Sequence, residues 1–198
     1  MSSRDSILAA VRANAPKPVA APAAIPRFER RAGSLIADFQ EAVVRMGGKV
    51  AQGAPAGGLD AFIRSLFPQA QVICSAVPEL KGTRTLNGGL DGGLGPADLA
   101  DVDVAIVRAA FGVAETGSIW LSETELKVNS LAFLAQHLVA LLDPRHIVEN
   151  LHHAYADPRF KTARYAVLVT GPSATADIEG VLIHGAQGVR SLTVILNS

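Results

Sequence analysis

Glu115-Thr116-Gly117-Ser118 sets one carboxylate beside two hydroxyls, in a run that opens at Gly112. A carboxylate so placed can act as general base, as nucleophile or as an orienting acceptor. The neighbouring hydroxyls can hold the anionic end of a substrate. Glycine lets backbone approach a ligand closely and take up turns that a side chain forbids. The same residue types also make a hairpin turn with a solvated glutamate, and composition leaves both alternatives open.

A second constellation is Thr170-Gly171-Pro172-Ser173-Ala174-Thr175-Ala176-Asp177-Ile178-Glu179. It predicts a strand end, a Gly-Pro bend and then a helix over 175–182, with Ser173 or Thr175 as its N-cap. Free N–H groups at that helix start, with Gly171, Ser173, Thr175 and Asp177 around them, would hold a carboxylate or phosphate. Asp177 and Glu179 equally stabilise a bare helix start and would oppose an anion there. The loop His184-Gly185-Ala186-Gln187-Gly188 follows.

Other candidates carry weaker signals. The glycine-rich stretch at 87–95 has neither dinucleotide-fingerprint nor P-loop spacing, which leaves a surface loop or a mobile lid. His137, His146, His152, His153 and His184 include no H-E-x-x-H pair, and no G-x-S-x-G elbow marks a hydrolase triad. Cys74 is the single cysteine, so this chain alone offers no internal disulfide and no cluster held by several thiolates. The expectation is therefore no metal and no cofactor bound by this chain.

The elements that must position these residues alternate. A short amphipathic helix carrying Ile7, Leu8 and Val11 comes first, over 1–15. Prolines at 16, 18, 22 and 26 then predict a stiff tether over 16–30, which sets that helix apart from the main domain, 31–198. Leu35, Ile36, Phe39, Ala42, Val43 and Met46 recur at helical spacing, and Gly47-Gly48 stops them. Short apolar strands are expected near 49–52, 71–75, 102–107, 118–122, 137–142, 164–170 and 191–196. Asp143-Pro144 predicts a helix bearing Ile147, Leu151 and Ala154. The runs at 104–109 and 118–122 stand too close for a crossover, so an antiparallel hairpin is expected between them. The class is α/β, a three-layer arrangement of a largely parallel sheet with helices on both faces.

Composition narrows the partners. At 198 residues, with 49% hydrophobic and 18% charged, the chain forms a core of ordinary domain size. Eighteen basic residues balance eighteen acidic ones, so nothing favours nucleic acid. No basic amphipathic stretch suits a membrane surface, and no window reaches the roughly 18 apolar residues a spanning helix needs. A soluble, cytoplasmic chain that meets a small anionic ligand or another protein is expected.

Three segments, in this order and separation, resemble the lactate utilisation protein C family, also called the LUD-domain or YkgG-like family. They are Val113-Ala114-Glu115-Thr116-Gly117-Ser118, the Gly171-Pro172-Ser173 segment through Glu179, and Gly185-x-x-Gly188 with Arg190-Ser191-Leu192-Thr193-Val194-Ile195-Leu196. The Ser-Arg-Asp-x-Ile-Leu start is similar too. The resemblance implies a fold similar to the sugar-phosphate isomerase and CoA-transferase superfamily. It also implies a part in bacterial oxidation of L-lactate to pyruvate, beside oxidoreductase partner chains that carry iron–sulfur clusters. Ala174 stands where that family usually has a basic residue, and Gln187-Gly188-Val189 replaces its usual His-Gly-Pro.

On this footing Glu115, Thr116, Gly117 and Ser118 form one wall of a site, and Gly171, Ser173, Thr175 and Asp177 another. Both loops follow strands, and parallel sheets hold ligands at the carboxyl ends of their strands, so the walls are expected to converge there. Glu115 is the candidate base or orienter. A stand-alone isomerase- or CoA-transferase-like enzyme using Glu115 is an alternative, as are a structural or regulatory adaptor and a homo-oligomer.

Overall fold

The computed structural model describes residues 2–16, 33–53, 57–78, 80, 84–86 and 94–197. The tether at 17–30 and nearly all of the glycine-rich stretch at 87–95 lie outside the described residues. The first helix, α1 (Ser3–Ala13), opens on a capping box: the Ser2 hydroxyl accepts from the Asp5 N–H while the Asp5 carboxylate accepts from the Ser2 N–H. None of its residues is buried. Ser34 caps α2 (Leu35–Arg45), which buries Phe39, Ala42 and Val43. A turn at Gly47 (φ 82°) feeds β1 (Lys49–Gln52), followed by α3 (Gly58–Leu66), β2 (Ile73–Ser75) and β3 (Arg84–Thr85).

The chain continues through β4 (Val104–Arg108), β5 (Phe111–Val113), β6 (Ser118–Ser122), α4 (Glu123–Leu126), α5 (Leu131–Leu134) and β7 (His137–Leu142). A 3₁₀ turn at Pro144–His146 leads to β8 (Ile147–Val148), α6 (Leu151–Tyr155), α7 (Arg159–Thr162) and β9 (Ala166–Val169). Last come β10 (Ala174–Thr175), β11 (Ile183–His184) and β12 (Ser191–Leu196).

Six strands make one parallel sheet in the order β1-β12-β7-β4-β2-β3. The central strands read as unbroken apolar runs because both of their faces are covered. On one face Ile73, Val104, Ile106, Val139, Leu141 and Ile195 meet Leu59, Phe62 and Ile63 of α3. On the other, Ala105, Val107, Leu138 and Val194 meet Phe39 and Val43 of α2 and Ile119 and Leu121 of β6. This is the expected α/β class, a large parallel sheet flanked by helices.

A second sheet, β8-β5-β6-β9, was not foreseen. Its outer face carries Phe111, Val113 and Trp120, covered by Leu151 and Ala154 of α6 and Phe160 of α7. The expected hairpin forms one strand later, between β5 and β6, with Phe111 opposite Trp120 and Val113 opposite Ser118. Residues 104–107 are buried on both sides, a demand that only a central strand of the parallel sheet meets.

Two helix expectations fail. Over 143–154, the β-branched pair Ile147-Val148 pairs with β5 as a strand, and Asn150 caps a new helix. Over 175–182 there is no helix: β10 and β11 pair antiparallel, and Glu179 (φ 54°) and Gly180 (φ 69°) turn the chain between them. Thr175 Oγ1 accepts from the Asp177 N–H, closing a local turn instead of capping a helix.

Candidate functional site

The last turn of α2 organises the site, because two glycine turns rest directly on its backbone. Gly117 has φ 69°, and a Cβ there would stand 2.5 Å from the Val43 nitrogen. Gly171 has φ 74°, and a Cβ there would collide with the Met46 carbonyl. The β5–β6 turn and the bend after β9 are thereby clamped side by side. Residues 46–48 alone separate α2 from β1, so this is the amino end of the parallel sheet. The expected convergence at the carboxyl ends does not occur, because both loops belong to the second sheet.

Pairing of β6 with β9 sets Ile119 opposite Val169, which brings Ser118 level with Thr170. Ser118 Oγ lies 2.7 Å from Thr116 Oγ1 and 2.6 Å from Thr170 Oγ1, with Ser118 itself 2% exposed. Three hydroxyls hold three protons, and two bonds among them use two. One O–H of the three is left over by these two bonds. Glu115 is exposed on the rim; its Oε2 accepts from the Leu151 N–H at 3.1 Å, which ties the carboxylate to the start of α6. Arg45 Nη2 donates to the Glu115 carbonyl at 3.4 Å. Together with Met46, Leu151, Tyr155 and Leu168 these groups line an open cleft of about 420 Å³.

Glu115, Thr116 and Ser118 thus come together as one wall, with Gly117 beneath them against α2. The other predicted residues go elsewhere. Gly171 and Ser173 line an adjoining cleft of about 310 Å³ with Phe133, Gln187 and Gly188, and the two clefts share Leu168 and Thr170. Ser173 Oγ donates to the Gln187 carbonyl at 3.1 Å. Thr175 and Asp177 lie on the β10–β11 hairpin and line neither cleft. Ala174 is exposed there as well.

Sequence reasoning left Thr170, the first residue of the second constellation, and Arg45 out of the site. Thr170 carried a faint signal, a hydroxyl closing an apolar strand. Arg45 carries no signal beyond that of any cation in the last turn of a helix. The arrangement can bind a small acid: a cation beside the rim, a hydroxyl donor in the floor and an apolar side. Among the described residues no three His, Cys, Asp or Glu side chains gather as a metal site. Cys74 is buried in the sheet, and burial pushes its thiol up to about 11.

Residues 97–197 match the LUD domain, just over half of the chain and everything from β4 onward. The chain belongs to the LUD-domain family. That family is associated with lactate utilisation. The same chain is 26% identical over 98 residues to an uncharacterised protein of Neisseria meningitidis serogroup B. That stretch is 48% of this LUD-domain chain and 42% of the relative, so the match spans less than half the relative's length. It is also similar to a solved DUF162 family protein from Deinococcus radiodurans, with a TM-score of 0.62 and 17% identity. The likeness covers 83% of this chain and 96% of that one, and it bears on the fold.

Proposed function

We propose that this LUD-domain chain is a non-cluster component of a bacterial L-lactate utilisation system, in which it binds a small carboxylate ligand in the cleft above Ser118. The observation that carries the reading is the Thr116-Ser118-Thr170 hydroxyl chain, with its spare donor, beside the Arg45 guanidinium. A short 2-hydroxy acid presents a carboxylate for Arg45, oxygens for the spare O–H and a small apolar end for Leu151 and Leu168. Glu115, fixed to the α6 start, orients the ligand or takes a proton from it. Electron transfer falls to iron–sulfur oxidoreductase partner chains, as the family resemblance implies, and the single, buried cysteine of this chain fits that division of labour. The setting is cytoplasmic.

The test titrates the purified protein with L-lactate and with pyruvate, read by changes in backbone amide resonances. Saturable binding is expected, weakened about tenfold in Arg45→Gln by loss of one charge-assisted contact. Glu115→Ala is expected to abolish lactate-dependent growth. Growth at the wild-type rate would end the role given to Glu115. Turnover of a sugar phosphate or an acyl-CoA by the isolated chain would replace the reading with that of a stand-alone enzyme.

A further inference from the structure

A separate cleft of about 490 Å³ opens at the amino ends of β1, β12 and β7, on the α3 side of the parallel sheet. Lys49, Ser191 and His137 are the first residues of these three neighbouring strands. In register, Ser191 stands opposite His137 and Lys49 opposite Thr193, so all three side chains belong to one sheet face. Arg190 completes the rim from the residue before β12.

His137 Nδ1 lies 2.8 Å from Ser191 Oγ, and its ring packs against Phe67 at 4.8 Å between centroids, tilted by 31°. Asp103 is the one carboxylate lining the cleft, and it is already engaged: its Oδ2 accepts from the Gln71 and Val72 N–H groups at 2.7 and 2.9 Å. Lys49 and Arg190 are exposed, and neither forms an ion pair with a described residue. Burial first, then Arg190, and Lys49 more weakly, lower the His137 pKa against the opposing pull of Asp103. The shift favours the neutral imidazole, in which one ring nitrogen donates and the other accepts.

Two cations without an ion-pair partner among the described residues, a hydroxyl–imidazole pair and an aromatic wall make a recess whose surplus charge is positive. We propose that this cleft binds the oxyanion group, carboxylate or phosphate, of a small molecule. Lys49 and Arg190 supply the charge and Ser191 and His137 the shorter hydrogen bonds. None of its lining residues lines the cleft above Ser118, so the site is independent of the function proposed above.

The experiment follows the His137 ring and the Arg190 and Ser191 amides by NMR while inorganic phosphate, and separately acetate, is added to the full chain. Saturation with a Kd of about 1 mM or tighter is expected for at least one of the two. Stronger saturation by phosphate assigns a phosphoryl group, and by acetate a carboxylate. Lys49→Gln and Arg190→Gln should each weaken binding several-fold, and the double variant about tenfold or more. Arg145→Gln, at a cation already paired with Asp143 and outside the cleft, should leave it unchanged. Lys49 and Arg190 are solvent-exposed, so each single variant is read on a folded protein, checked by its own melting curve. Absence of saturation by either anion overturns the proposal. So does undiminished binding in the double variant.

Discussion

Gly117 shows how a residue at the site can be essential without touching a ligand. Its left-handed φ costs any other residue about 1–2 kcal/mol, and an added Cβ would also press on the Val43 backbone 2.5 Å away. Gly180 has the same φ, 69°, but nothing within 4 Å of where a Cβ would stand. Gly117→Ala is therefore expected to destabilise by about 2–4 kcal/mol and Gly180→Ala by about 1 kcal/mol. Urea midpoints measure both, and equal losses would remove the close-packing explanation. The carboxylate and hydroxyls around Gly117 were legible because they are adjacent in sequence. Thr170 joins them only through the β6–β9 register, and Arg45 only through the packing of α2. Neither relation is written in local spacing.

Glu123 belongs to the scale of elements, since it joins the start of α4 to the two residues that lead into β9, the strand that Thr170 follows. Its carboxylate accepts from the Arg164 and Tyr165 N–H groups at 3.0 and 3.1 Å. The Arg164 N–H above all, with the N–H groups of Glu123 itself and Tyr165, holds the carboxyl below its ordinary value. Because the folded-state pKa is the lower one, the stabilisation is present above the unfolded value of about 4.3 and is lost as pH falls through that value and then the folded one. Glu123→Ala should melt earlier than wild type at neutral pH, and the gap should close between about pH 4 and lower values. A gap that stays constant on acidification would mean that the charge contributes nothing. This tie is invisible in the sequence, where residues 123 and 164 are far apart. The failed helix over 175–182 has a different cause: acidic and hydroxyl residues suit a helix start, but Glu179 and Gly180 both take positive φ, and pairing of Thr175 with Ile183 outweighs local preference.

At the scale of the molecule, alternation of apolar strands and helices was enough for the α/β class. The second sheet escaped because β5 and β8 are only three and two residues long, too short for a periodic signal. Its consequence is functional, since it places the candidate site at the amino end of the parallel sheet. The remaining feature is α1, whose stripe leaves Ile7 63% and Val11 62% exposed although the capping box fixes its start. An isolated eleven-residue helix is marginal in water, so its apolar side is best explained by another surface. We propose that α1 docks this chain onto the iron–sulfur oxidoreductase chains proposed above as its partners. A chain lacking residues 1–26 should then keep its free energy of unfolding within about 0.5 kcal/mol of wild type, because no α1 residue is buried. It should lose co-purification with the iron–sulfur partner chains while still binding lactate in the cleft above Ser118. A loss of more than about 1 kcal/mol at all protein concentrations would mean that α1 packs on its own domain. A loss that depends on protein concentration would mean that it holds two copies of the chain together.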